Sequence, residues 1–313
     1  MPSSSSWQAP STSPATVRCC RLPSETPMPI SRHIPISRRR LSMALAAGAL
    51  VTATLGLATA AEAPSPPSTD PLLGPRVQLK ASWKGTTRPN RAISILMLAG
   101  HADSQRMQGS GTSGAAVDLH GAKPMDPRMR DELYWNLKVR DAVVQHGRRR
   151  GLNIRAYTPP ALTIANGNHP STNWSVGKKH VGSGGYALEI HFDAYGRDGY
   201  GSGLIPAIRR HPSTIDESLA VSFGRYPLMF RGGLGAPKRG IGILEIGKLE
   251  GRLETRLRDP KTRQATLDAI ARRVTDAILN GLPPAPPMEV SSPPDVDGNA
   301  PPEKDPRTSS EDG

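Results

Sequence analysis

The chain has 313 residues, of which 36% are hydrophobic and 4% aromatic, and a formal net charge of +13. Its 32 prolines crowd towards the two ends, so one compact domain with unstructured flanks is expected in place of two domains. Cys19 and Cys20 are the only cysteines, which excludes a disulfide framework or a thiolate zinc site in the body and leaves His, Asp or Glu to hold any metal there. The positive charge is concentrated in the body, because residues 283–313 set Lys304 and Arg307 against seven acids. Such a body suits a polyanionic surface. No helix-turn-helix pattern or RNA-type aromatic motif is present, so nucleic acid is not expected as a partner.

In chain order, residues 1–63 form an N-terminal extension with an export signal. Arg38, Arg39 and Arg40 precede an uncharged run of small apolar residues from Met43 to Ala61, and Ala58-x-Ala60 and Ala61-x-Ala63 fit a small-residue cleavage site. Ser37-Arg38-Arg39-x-Leu41 resembles a twin-arginine signal. Export to the periplasm or cell envelope is therefore expected. The competing reading is an uncleaved anchor, since about 19 apolar residues just span a bilayer, and membrane contact is expected only through that leader. Residues 64–90 read as a Pro- and Ser-rich linker, residues 91–282 as the folded body, and residues 283–313 as a disordered acidic tail.

Within the body, "AISILMLAGH" (92–101) is a continuous apolar run and predicts a buried central strand. Residues 126–151 predict a helix, with Pro127 in its first turn, Leu133, Leu137 and Val144 at helical spacing, and a terminal Gly151 after Arg148 to Arg150. Strands follow at "NIRAY" (153–157), "YALEIHFDA" (186–194) and "GIGILEIG" (240–247). An amphipathic helix over 259–281 closes the domain, with Leu267, Ile270, Val274 and Ile278 on one face. Strands interleaved with helices predict an α/β, three-layer domain with a central mixed, mostly parallel twisted sheet flanked by helices. Ligands bind such sheets beyond the carboxyl ends of the strands, where His101, His191 and Glu245 fall.

Two imidazoles and one carboxylate, with a fourth position open, suit zinc and leave it a net positive charge. A second carboxylate off the metal is then needed to move a proton to the leaving group. His101, Glu132 and His191 as ligands and Glu245 as base satisfy that inventory. Taken singly, each also has a bland reading: a polar strand end, a helix acid, or an acid paired with arginine.

At these residues the chain resembles the zinc-dependent N-acetylmuramoyl-L-alanine amidases of the Amidase_3 type, which are cell-wall hydrolases. The family's strand ending in Gly-His is matched by Gly100-His101, and its Glu-x-x-x-Asn-Leu helix start by Glu132 to Leu137. Its Ser-Ile-His-x-Asn-Ala strand is matched by Glu189-Ile190-His191-Phe192-Asp193-Ala194, and its Leu-x-Glu-x-Gly by Leu244-Glu245-Ile246-Gly247. "DPKTRQATLDAIARRV" echoes its closing helix. The order is kept over residues 91–282. The resemblance implies zinc on His101, Glu132 and His191, catalysis by Glu245, and peptidoglycan as substrate. A monomer is expected.

Departures fall at Ala102-Asp103 (Gly-Gly in the family), at Asp193 (Asn) and at Lys248-Leu249-Glu250, and residues 109–127 form a long glycine-rich insert. Another zinc amidohydrolase or carboxypeptidase, or a non-catalytic envelope-binding module, are the alternatives. Of the remaining histidines, His120, His169, His180 and His211 read as loop residues and His146 as outward-facing on a helix. His169 and His180 are candidates to line a substrate groove. Lys178-Lys179 and Arg209-Arg210 are candidate contacts for peptide carboxylates.

Overall fold

The computed structural model describes residues 69–284, Arg209 excepted. The leader and most of the acidic tail lie outside these residues. Among the described residues no helix is long and apolar enough to cross a membrane.

Among the described residues a two-stranded ribbon, β1 (Thr69–Asp70) with β2 (Gly74–Pro75), comes first, and then β3 (Ile95–Ala99) enters the interior of the main sheet. The remaining elements are a short α1 (Ala115–Asp118), α2 (Asp131–Arg149), β4 (Ile154–Ala156), α3 (Asn173–Gly182), β5 (Tyr186–Asp193), β6 (Gly203–Ile205), α4 (Thr214–Phe223), β7 (Gly242–Lys248), α5 (Gly251–Arg258) and α6 (Pro260–Asn280). The sheet runs β4-β3-β5-β7-β6; the first four strands are parallel and β6 is antiparallel to β7. This is the expected mixed, mostly parallel sheet flanked by helices.

Strand alternation builds the two helical layers. Ile95 and Met97 of β3, Leu188, Ile190 and Phe192 of β5, and Leu244 and Ile246 of β7 face a core shared with Trp135, Val139 and Val143 of α2 and Leu267, Ile270 and Val274 of α6. The intervening Leu96, Leu98, Ala187 and Ile243 face a second cluster that includes Val176 and Val181 of α3. Polar residues inserted on that second face meet the start of α2, α3 and the loops around the strand ends. Glu189, His191 and Glu245 occupy such positions.

Three local expectations are corrected. Segment 69–90 is not a free linker: Leu73 and Trp83 are buried, and the Trp83 indole donates to the Tyr226 carbonyl at 2.7 Å. Prolines and serines set its composition, but the few large apolar residues among them decide its packing. α2 starts at Asp131, five residues after Asp126, because Asp126 instead closes a turn by accepting from the Arg128 amide at 2.9 Å. His180 lies on α3 and not in a loop; its Nε2 pairs with the Ser94 carbonyl at 2.9 Å.

Candidate metal centre

Each of the four singled-out residues reaches the site by a different backbone device. His101 comes two residues after β3 ends, with φ 63°, a left-handed conformation that is costly for a residue carrying a Cβ. That turn aims the imidazole back across the strand end. Glu132 is the second residue of α2, and its Oε2 accepts the Thr112 amide at 2.8 Å. One turn further along, Asn136 is buried and donates to the Gly100 carbonyl at 3.1 Å, tying the helix to the strand end. His191 projects from β5, and Glu245 stands beside it on β7 in direct register.

Glu132 Oε1 lies 3.2 Å from His101 Nε2 and 3.1 Å from His191 Nδ1. One ligand atom from each of these three residues lies within 4.8 Å of the others. The imidazoles meet edge to face at 4.8 Å between centroids. Burial alone would raise the Glu132 carboxyl, yet the His101 and His191 imidazoles hold it well below the usual range. The opposite balance acts on His191, which burial would lower but Glu132 and Glu189 raise well above its ordinary value. Two nitrogens and an oxygen gathered this closely in a buried setting fit a divalent ion of zinc type.

Two glycines make room for this cluster. A Cβ on Gly100 would come within 2.2 Å of the His191 ring, and one on Gly111 (φ +90°) within 2.6 Å of Glu132 Oε2. We predict that Gly100→Ala displaces the His191 ring and lowers zinc affinity roughly 10–100-fold, the range typical of disturbed ligand support. Equilibrium dialysis with metal analysis reads this directly; wild-type affinity in the folded variant would contradict the packing.

Glu245 lines the same cavity, of about 550 Å³, as the three cluster residues. It is 4% exposed, and its Oε2 is buried with no hydrogen-bond partner. Burial, reinforced by the Asp193 and Glu132 charges and only partly offset by His191 and Arg231, pushes its carboxyl up to about 8. A poised proton-transfer group needs this kind of environment.

Sequence reasoning passed over several neighbours. Glu189, two residues before His191, is buried at the cavity wall. Arg231, among the described residues the one lysine or arginine lining the cavity, has φ 53° and donates to Asp193 Oδ1 at 3.1 Å. Trp174 lies on the rim beneath the Arg239 guanidinium, 4.8 Å from the ring centroid. The glycines around Arg231 hinted at an unusual backbone, but no motif pointed to its charge.

The departures noted in the sequence take structural tasks. Asp103 Oδ2 accepts the Asn173 amide at 2.7 Å, at the start of α3. Asp193 accepts the amides of Tyr200 and Gly201 at 2.6 and 3.0 Å and folds down the loop after β5. Arg210 is engaged with Asp216, and neither it, His169, His180, Lys178 nor Lys179 lines the cavity. The groove-lining expectation for His169 and His180 is withdrawn, and of the pair Arg209-Arg210 the first lies outside the described residues.

Fold and site together define an α/β domain with a candidate divalent-metal centre near the carboxyl ends of its parallel strands. No protein-family model and no curated protein matches the chain. Among solved structures, it is similar to the catalytic domain of the CD27L endolysin targeting Clostridia difficile (17% identity, 61% of this chain and 99% of that one, TM-score 0.40). It is similar also to the catalytic domain of CwlV, an N-acetylmuramoyl-L-alanine amidase from Bacillus (Paenibacillus) polymyxa (15%, 59% and 96%, TM-score 0.39). A third is the apo form of an N-acetylmuramyl-L-alanine amidase from Mycobacterium abscessus (18%, 59% and 97%, TM-score 0.39).

Proposed function

We propose that this chain is an exported, zinc-dependent hydrolase that cleaves the amide bond between N-acetylmuramic acid and L-alanine in peptidoglycan. The observation that carries the reading is the convergence of His101, Glu132 and His191 on one point, with Glu245 in register beside His191. The ordered motifs that resemble muramoyl amidases name the substrate bond.

His101, Glu132 and His191 would hold the ion; zinc so bound supplies Lewis acidity towards a carbonyl oxygen and acidifies water. The protein's own groups do the rest. Glu245 takes a proton from the attacking water and gives it to the departing nitrogen, so that the alanine end leaves as an amine. Burial and the neighbouring Asp193 and Glu132 charges raise its proton affinity towards that of a group able to hold and return a proton. Asp193 holds Arg231 at the cavity wall, keeping one fixed positive charge near the base. Met107, Ile164, Trp174 and Leu234 contribute apolar surface to the wall.

Mass spectrometry of peptidoglycan digests, with and without a chelator, tests this. Intact glycan plus peptides that begin with alanine, formed only without chelator, is the expected result. Peptides trimmed from their other end would indicate a carboxypeptidase. Sedimentation with peptidoglycan without any metal-dependent product would indicate a binding module.

A further inference from the structure

We propose that Glu189 is a positioning residue for the metal centre: its carboxylate receives the Nε2–H of His191 and so turns Nδ1 of that ring towards the ion. This rests on the reading that His101, Glu132 and His191 hold zinc.

The geometry comes from strand periodicity. Residues two apart on β5 share a face, so Glu189 and His191 both point towards α3. Glu189 is 2% exposed. Its Oε2 lies 3.5 Å from His191 Nε2, and its Oε1 accepts from Asn173 Nδ2 at 3.3 Å. Asn173 also donates to the Ala99 carbonyl at 2.6 Å, which anchors the amide against the end of β3. The other face of the imidazole is committed: Nδ1 lies 3.1 Å from Glu132 Oε1. His191 Nε2 is buried and makes no hydrogen bond as it stands; Glu189 Oε2, 3.5 Å away, is the carboxylate within its reach. A ring that lies between two carboxylates, hydrogen-bonded to the one in the ligand cluster and facing the one outside it, has Nε2 placed for a proton and Nδ1 for the ion.

Two physical consequences follow. The proton on a metal-binding imidazole sits on whichever nitrogen the outer partner claims, and an outer carboxylate makes the ring a better donor. Charge points the same way. A buried carboxylate needs a cation, and among the described residues Glu189 has no lysine or arginine partner, only the His191 imidazole. Glu189 also stands where the resembled motif has serine, so this carboxylate is a feature of the present chain.

The test uses the full chain at fixed pH. Zinc affinity is measured by competition with a chromophoric chelator for wild type, Glu189→Ala and Glu189→Gln. The metal-bound nitrogen of His191 is read by 15N NMR of the cadmium-113-loaded protein. Expected are a roughly 10–100-fold weaker affinity for Glu189→Ala, a smaller loss for Glu189→Gln, and cadmium coupled to Nδ1 in wild type. Variants that are folded by circular dichroism but bind zinc within about twofold of wild type would overturn the proposal, as would coupling to Nε2. Should the alanine variant fail to fold, the isosteric glutamine variant carries the test. Wild-type protein that took up no zinc would overturn both this proposal and the metal reading; unaffected variants of a zinc-binding wild type would overturn this one alone.

Discussion

Glu245→Gln is expected to reduce the rate of stem-peptide release by about 10² to 10⁴, the usual worth of a positioned acid–base group, while zinc content stays at the wild-type level. The amide keeps the shape of the side chain on β7 but cannot accept and return a proton. Because burial and the neighbouring acids push the Glu245 carboxyl up to about 8, it is largely protonated at neutral pH when no cation is bound. Acting as a base, it must lose that proton. The wild-type rate should therefore climb with pH through the carboxyl's own titration, and a bound dication, favouring the charged form, should shift that limb to lower pH. The glutamine variant should lose this limb. A variant that holds zinc and retains wild-type release rates would remove Glu245 from the mechanism.

Away from the chemistry, Asp216→Ala is expected to destabilise the domain by about 3–5 kcal/mol, the cost of stranding a buried partner. Asp216 is fully buried, and it receives the Ser213 amide at 2.6 Å, the Ser213 hydroxyl at 2.8 Å, the Tyr186 hydroxyl at 2.9 Å and Arg210 Nη2 at 2.9 Å. It also completes the capping box of α4 with Ser213. Alanine would leave the Arg210 guanidinium, which lies 5.2 Å from the Tyr186 ring centroid, without its counter-charge. Denaturant unfolding measures the loss, and a fall in Tm of roughly 6–20 °C should accompany it in a domain of this size. A loss below about 1 kcal/mol would mean that solvent replaces these partners with ease.

Legibility in the sequence followed the strength of local patterns. β3, β5 and β7 were readable because each is a run of large apolar residues, and α2 and α6 because their buried side chains recur at helical spacing. β6 was missed: three residues, Gly203 to Ile205, are too few to show any period, and the strand exists through its pairing with β7. α3 was missed because Thr172 caps a helix whose start lies in a stretch of Asn, Gly, His and Pro that reads as loop. At the site, the residues that converge were those that interrupt apolar strands or open a helix, where a polar side chain is conspicuous. Glu189 interrupts a strand too and by alternation shares the face of His191, but nothing local shows that its carboxylate comes within reach of that imidazole. Arg231 acquires its position from a left-handed turn and from Asp193, 38 residues earlier, and neither is visible locally.

The pairing of β5 with β7 changes step just past the site: His191 pairs with Glu245, but Asp193 pairs with Lys248. One strand advances two residues while the other advances three, so β7 carries a bulge immediately after Glu245. Length changes on the far side of that irregularity can be absorbed without altering which way Glu245 points, whereas a single insertion before it would flip the side chain into the opposite layer. The stretch beyond the bulge is thus mechanically insulated from the row that carries His191 and Glu245.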